Sequence, residues 1–253
     1  MKNWIAFCGL NQTGSTIASA ILDGHPNARV SFEKQAFKRW YIEKQSKEEI
    51  LHQVMTSGHG NYRKKKALPG SGSWIARENQ ESLLAAGDKY GSGIYHTLAK
   101  GASADVIDEF SKFIGHPVKL VHTLRNPYDI IGGWVDRPKA KRKCPDRDKR
   151  FDNAVGVYVG FYNVMQPILD RYPHFDLYND ELIKNPRGTL TKLCGYLELP
   201  VVEPWLTTAV RSVYTEPHNR RDNREWFPGQ KKQIEVELIN KYPVYFERYG
   251  GAL

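Results

Sequence analysis

Cysteine is scarce in this chain of 253 residues: Cys8, Cys144 and Cys194 are the three. They form no Cys-x-x-Cys pair, which excludes a zinc ribbon or a disulfide framework and leaves reduced thiols as the simple reading. Long hydrophobic runs are also missing, and none approaches the ~20 apolar residues of a membrane helix. Met1-Lys2-Asn3 leads directly into an apolar segment, with no room for a secretory leader, so a cytoplasmic protein is expected. Acidic residues are in deficit, 28 against 37 Lys and Arg, giving a net charge of +9. Two basic stretches carry much of the excess. One is Arg63-Lys64-Lys65-Lys66, within a Gly/Lys/Ser-rich loop at about 57–73, and the other runs from Arg137 to Arg150 and is also expected as a loop. No aromatic residue interleaves between Arg137 and Arg150, which argues against single-stranded nucleic acid as partner. A solvated loop or a site for an anionic acceptor, such as an acidic glycan, both fit. The length and the 40% hydrophobic content suit one domain over residues 1–253 with a full core.

What is present is concentrated first at the N-terminus. Ile5 to Cys8 is an apolar run, Gly9 and Gly14 bracket a loop, Ser15 and Thr16 follow, and Ile17 to Leu22 has helical apolar spacing. A strand, a glycine loop and a helix start make an anion cradle, because the first N–H groups of a helix lack partners and its dipole favours negative charge. A phosphate or sulfate is therefore expected at residues 11–16, with a plain strand-to-helix turn as the alternative. Gly9, Gly14 and Thr16 keep the register G-x-x-x-x-G-K-[ST], but Ser15 stands at the lysine position. A kinase-type loop would lack its main charge there. Downstream, Val118 to Leu124 reads as a buried strand, followed by Arg125-Asn126-Pro127-Tyr128-Asp129. Pro127 suits the first turn of a helix with Ile130, Ile131 and Trp134 on its inner face.

The periodicities predict strands at 4–8, 28–32, 118–124 and 175–178. They predict helices at 14–23, 33–44, 46–55, 94–98, 104–113, 127–135, 151–169, 186–197, near 205–213, and at 229–240. Ser46 with Glu49 forms a capping box for the third of these. Such alternation implies an α/β fold in which helices flank a mostly parallel central sheet, with ligands beyond the carboxyl ends of its strands.

Thr13-Gly14-Ser15-Thr16 resembles the 5′-phosphosulfate loop of the sulfotransferases that use 3′-phosphoadenosine 5′-phosphosulfate (PAPS). Arg125-Asn126-Pro127-Tyr128-Asp129 is similar to their 3′-phosphate segment. Phe175 to Glu181 with Leu182, then Lys184-Asn185-Pro186-Arg187 and Leu197 to Pro200, looks like the strand and helix that close the family's sheet. Gly87-Asp88-Lys89-Tyr90 and His218-Asn219-Arg220-Arg221 through Trp226 resemble two further family segments. The resemblance spans most of the chain. It implies the P-loop-like sulfotransferase fold and transfer of a sulfuryl group to a hydroxyl or amine, with adenosine 3′,5′-bisphosphate (PAP) as the product. It implies no metal, since a sulfuryl group carries less charge than a phosphoryl.

On the same resemblance, Gln12, Thr13, Gly14, Ser15 and Thr16 hold the 5′ end of the cofactor. Arg125 and the position of Gly133 hold the 3′-phosphate, and Arg220 and Arg221 of the late basic loop also bind the cofactor, with Lys89 or one of these two arginines as the cation that could make up for Gln12. Glu33 is the base for the acceptor, a small molecule or glycan, and Lys89 is the cation near the transferred group, with His52, His59 and His96 as substitute bases. His25 and His122 read as structural. Two positions depart from the pattern. Gln12 stands where relatives carry Lys or Arg, and Gly133 stands where they carry a serine. Three readings follow: an active sulfotransferase, a binder of nucleotide or glycan that has lost transfer, and a P-loop kinase or nucleic-acid-binding protein.

Overall fold

Five parallel strands form one sheet in the order β2-β3-β1-β4-β5. They are β1 (Asn3–Cys8), β2 (Ala28–Phe32), β3 (Ala85–Lys89), β4 (Val118–Leu124) and β5 (His174–Tyr178). The computed structural model describes residues 1–56, 82–216, 221–222 and 224–250. The expected basic loop at 57–73, with Arg63 to Lys66 and His59, lies outside the described residues, as do His218, Asn219 and Arg220.

Alternation along the strands sorts the core into two layers. Ile5, Phe7, Val30, Val121 and Leu177 point to one face. There α1 (Ser15–Asp23) supplies Ile17, Ile21 and Leu22. On that face also lie α9 (Asn179–Lys184), α10 (Pro186–Tyr196) and α11 (Glu203–Ser212). Trp205 of α11 donates its indole N–H to Ile21 O at 3.0 Å, locking α11 onto α1. Trp4, Ala6, Cys8, Leu120 and Leu124 point to the other face. That face is covered by α2 (Ala36–Tyr41), α3 (Lys47–Thr56), α4 (Gly93–Leu98), α5 (Val106–Ile114) and α6 (Pro127–Val135). The long α8 (Arg147–Arg171) packs there as well, with the C-terminal pieces α12 (Gln230–Ile234) and α13 (Pro243–Phe246). The three-layer arrangement buries both faces, as a parallel sheet requires.

Several sequence expectations are corrected. The helix expected at 33–44 is only Ala36–Tyr41, because Glu33 and Gln35 both take left-handed backbone, at φ 53° and 62°. β3 was not expected as a strand at all: Ala-Ala-Gly-Asp-Lys offers neither β-branched residues nor alternation. Residues 137–150 are not a loop throughout. They contain α7 (Pro138–Lys143), and α8 begins at Arg147, four residues before its expected start. Buried Arg150 donates from Nε to Val135 O at 3.0 Å and from Nη1 to Cys144 O and Pro145 O at 2.5 Å, so the end of the basic run is structural. The helix expected at 229–240 changes to a π-turn at Glu235–Ile239.

β3 pairs with β1 because Gly87 has no side chain. A Cβ there would lie 2.0 Å from Ile5 O and 2.7 Å from Ile5 Cβ. Gly87→Ala is therefore expected to cost about 3 kcal/mol through overpacking. Gly156→Ala is expected to gain about 0.5–1 kcal/mol, because its Cβ meets open space on α8 and alanine is the better helix former. Urea unfolding of the two variants checks this, and a neutral Gly87→Ala would contradict the tight β1–β3 approach.

Candidate active site

β1 sits between β3 and β4, and the chain leaves β1 towards β2 but leaves β4 towards β5. The carboxyl ends of β1 and β4 therefore flank a crevice where connections diverge, the usual place for a ligand in such sheets. The loop after β1 opens into it. Gln12 is left-handed at φ 77° and Gly14 at φ 92°. A Cβ on Gly14 would lie 2.3 Å from Asn179 Nδ2, at the start of α9, so the loop needs glycine for both its dihedral and its packing. Thr13 turns inward: its hydroxyl donates to Leu10 O at 2.8 Å and meets Thr123 Oγ1 at 2.7 Å, bracing the loop against β4. Among the residues expected to bind cofactor, Thr13 offers its backbone rather than its hydroxyl. Gly14 is the N-cap of α1, with no side-chain cap and no acidic residue in the first turn. The first N–H groups of α1, from Ser15 and Thr16 onward, are thus presented by a nine-residue helix whose dipole favours an anion.

Arg125 leaves the end of β4 beside this loop, and its Nη1 donates to Gln12 O at 3.3 Å. Pro127 opens α6, and the Asn126 side chain caps it by accepting from Tyr128 N at 3.0 Å. Asp129, buried in the first turn, lies 3.8 Å from Arg125 Nε. The same carboxylate accepts from Arg221 N at 2.9 Å and from Arg221 Nη1 at 2.8 Å. One buried carboxylate thus sets two guanidiniums together. Gly133 lies one turn further along, buried in α6. The C-terminal segment is pinned to this helix. Arg224 Nη1 donates to Gly132 O at 3.0 Å and to Asp136 Oδ2 at 2.6 Å, and Trp226 packs edge-on against Tyr128 with centroids 5.8 Å apart.

Gln12 also uses its side chain. In the orientation that its neighbours require, its amide oxygen accepts from both Nε and Nη2 of Arg137 at 2.7 Å. Arg137 is the N-cap of α7, in extended backbone as the following Pro138 demands.

On the other flank of β1, the exit of β3 abuts the loop: Gly9 N donates to Gly91 O at 2.9 Å. Lys89 ends β3, and its buried ammonium lies 2.9 Å from Glu33 Oε1 and 4.6 Å from the centre of the Phe32 ring. Glu33 keeps one side toward solvent, its side chain 44% exposed. Its left-handed backbone is a cost of about 1 kcal/mol that the surroundings must hold in place. They do so through Asp88. Its buried carboxylate accepts from Lys34 N at 2.8 Å, Ala36 N at 3.1 Å and Ser31 Oγ at 2.8 Å, while Glu33 N donates to Lys89 O at 3.0 Å. Burial still pushes the Asp88 carboxyl above its ordinary range.

The structure therefore gathers Gln12 to Thr16, Arg125, Gly133 and Arg221 around one crevice and places Glu33 with Lys89 at the same sheet edge. His52 and His96 are exposed on α3 and α4. His25 is held by Asn27 N and Pro200 O, and burial depresses its pKa. Sequence reading missed Arg137, Asp129, Asp88 and Asn179 as site-forming residues. Each acts through a partner distant in sequence, for which the chain carries no local signal. Among the described residues one group could offer three metal ligands, His122, His174 and Asp176. His122 Nδ1 and Asp176 Oδ1 are 2.7 Å apart, a direct hydrogen bond, and His122 Nε2 meets Tyr162 OH at 3.1 Å. Burial depresses the pKa of His122.

No protein-family model matches this sequence, and no curated protein matches it. Solved structures do. Sulfotransferase STF9 from Mycobacterium avium superposes with a TM-score of 0.55 at 12% identity, over 97% of this chain and 78% of that one. The sulfotransferase domain from the curacin biosynthetic pathway gives 0.53 at 13% identity, over 94% and 98%. Mouse sulfotransferase SULT7A1, solved in complex with PAP, gives 0.52 at 10% identity, over 96% and 85%. With a single parallel sheet, the β1 loop and Arg125 arranged as described, and these neighbours, the chain has the sulfotransferase fold.

Proposed function

We propose that this protein transfers a sulfuryl group from PAPS to a hydroxyl or amine of a small-molecule or glycan acceptor. The observation that carries the reading is the uncapped N-terminus of α1 opening beside Arg125, on a fold shared with sulfotransferases. The residues suit the ligand's two charged ends. The backbone of residues 12–16, with the Ser15 and Thr16 hydroxyls, would hold the 5′-phosphosulfate. Arg125 and Arg221, braced by Asp129, would hold the 3′-phosphate, with Gly133 leaving room where a serine would add one contact. Bound there, PAPS would supply the sulfuryl group and a phosphate leaving group that keeps the electron pair of the broken S–O bond.

Glu33 takes the proton of the acceptor, since it is the carboxylate at the sheet edge with an open side. Lys89 fixes that carboxylate from its buried side and adds positive charge to the same edge. The exposed basic helix α7, with no buried residue, favours an anionic acceptor. No helix among the described residues is long and apolar enough to cross a membrane. A second reading, nucleotide binding without transfer, draws on Gln12, which brings no charge to the loop.

PAP without metal is expected to raise the melting temperature, with a stabilisation of about 2.7 kcal/mol at a hundredfold excess over its Kd. A shift with Mg-ATP and none with PAP would overturn the assignment. Arg125→Ala is expected to weaken PAP by about 2–4 kcal/mol while adenosine 5′-phosphosulfate, which lacks the 3′-phosphate, binds as before. Equal losses for both ligands in a calorimetric titration would make Arg125 a structural residue. Glu33→Gln is expected to lower turnover by about 10²–10⁴-fold with PAP affinity unchanged. Wild-type turnover in that variant would exclude Glu33 as the base, and tight PAP binding with no transfer by the unmodified protein to any acceptor would favour the second reading.

A further inference from the structure

Sulfuryl transfer as proposed above makes no use of a cluster at the β5 edge of the sheet. His174 and Asp176 lie two apart on β5, so they share one face, and His122 of β4 stands opposite Asp176 in the parallel register. One ligand atom from each residue lies within 4.8 Å of the other two. The close approaches are His122 Nδ1 to Asp176 Oδ1 at 2.7 Å and His174 Nε2 to the same oxygen at 3.5 Å. We propose that these three residues form a site for one divalent transition-metal ion, of which zinc fits best. The inference does not depend on which nucleotide or acceptor the crevice takes.

Three features support it. First, the second nitrogen of each imidazole is already held. His174 Nδ1 lies 3.1 Å from Tyr172 O. A carbonyl only accepts, so Nδ1 carries the proton and Nε2 of the neutral ring is a lone pair. That lone pair faces a carboxylate oxygen, and two acceptors repel unless a positive charge sits between them. A backbone carbonyl on the far nitrogen is also how metal-binding histidines are commonly oriented. Second, His122 can change tautomer where it stands. Its Nε2 meets the buried Tyr162 hydroxyl at 3.1 Å. Without an ion, Nδ1–H donates to Asp176 and Tyr162 donates to Nε2. With an ion on Nδ1, the single ring proton moves to Nε2 and Tyr162 becomes the acceptor, a role that a hydroxyl also fills. The ring neither gains nor loses a proton. Third, the spacing suits the ion. Bonds of about 2.0–2.2 Å at tetrahedral angles put two zinc donors about 3.3 Å apart. His174 and Asp176 already stand near that separation, and Asp176, with its side chain 29% exposed, has room to draw back from His122. Two imidazoles and a carboxylate favour zinc over magnesium or calcium, which take oxygen ligands. His122 is fully buried, but His174 and Asp176 are partly open on the edge strand, which gives the ion a way in and leaves water for the fourth position.

Such an ion would clip the edge strand to β4. Titration calorimetry of the full chain, stripped with chelator and titrated with Zn²⁺ alone, reads the site. One Zn²⁺ per chain is expected, with a rise in melting temperature, and no binding of Mg²⁺ at the same concentrations. His174→Ala and Asp176→Asn are each expected to weaken Zn²⁺ by at least about a hundredfold, and Tyr162→Phe, which keeps the ring but removes the partner of His122, by about tenfold. His116→Ala, at a histidine in the turn after α5, is expected to leave Zn²⁺ affinity unchanged. Co²⁺ in place of Zn²⁺ should give visible absorption bands that His174→Ala abolishes. An unmodified protein that binds no Zn²⁺ would overturn the proposal. So would Zn²⁺ affinity unmoved by both His174→Ala and Asp176→Asn, since the ion would then sit on other histidines. A fall in the melting temperature of metal-free Asp176→Asn with unchanged Zn²⁺ affinity would make the three residues a hydrogen-bonded brace and nothing more.

Discussion

β1 is paired on both edges, to β3 and to β4, and all six of its residues are buried. Nothing at its exit can move without disturbing the centre of the sheet. The loop of residues 9–14 inherits that rigidity. It is tied to β4 through Thr13 and Thr123, and to the exit of β3 through Gly9 and Gly91. Parallel pairing brings the carboxyl ends of β3, β1 and β4 side by side, so residues from three distant parts of the chain meet there without any loop having to search for them. The close approach of β3 depends in turn on Gly87. The geometry of the Lys89–Glu33 pair is therefore a consequence of strand packing and not of surface charge pairing.

The charges at this edge are arranged to remain usable. A buried ion pair costs desolvation and returns little stability, so its presence calls for another explanation. Asp129 is almost fully buried and takes two guanidiniums, Arg125 and Arg221, the second of which also faces Asp222. Arg137 reaches the amide oxygen of Gln12. Arg224 is paired with Asp136 and stacked on Trp226, and burial lowers its pKa, so it fastens the C-terminal segment to α6. The basic residues are therefore not all surface charge: Arg150 and Arg224 fasten elements together, while Arg125 and Arg221 face the crevice.

Much of this was legible in the sequence where the signal is local. The apolar run of β1, the bracketing glycines and the helical spacing of Ile17 to Leu22 are periodicity and backbone freedom, and Pro127 announces α6. Other parts were not legible because they rest on contacts far apart in sequence. Ala85 to Lys89 is a strand only because a glycine lets it lie against β1. The expected helix from Glu33 shrank because Asp88, 52 to 57 residues away from its partners, holds the turn at Glu33 to Gln35 open. Arg137 read as one member of a basic run, since nothing near it in sequence points to Gln12.

The two proposed ends of the site are also linked directly. Arg125 stands just before α6, whose first turn carries Asp129, and donates to the Gln12 carbonyl in the loop that precedes α1. The groups proposed for the 3′-phosphate are therefore joined by one hydrogen bond to the loop proposed for the 5′-phosphosulfate. A shift of α6 that moves Arg125 must disturb that loop as well. Gln12 brings no charge of its own to the loop, but its carbonyl is the point where the two ends meet.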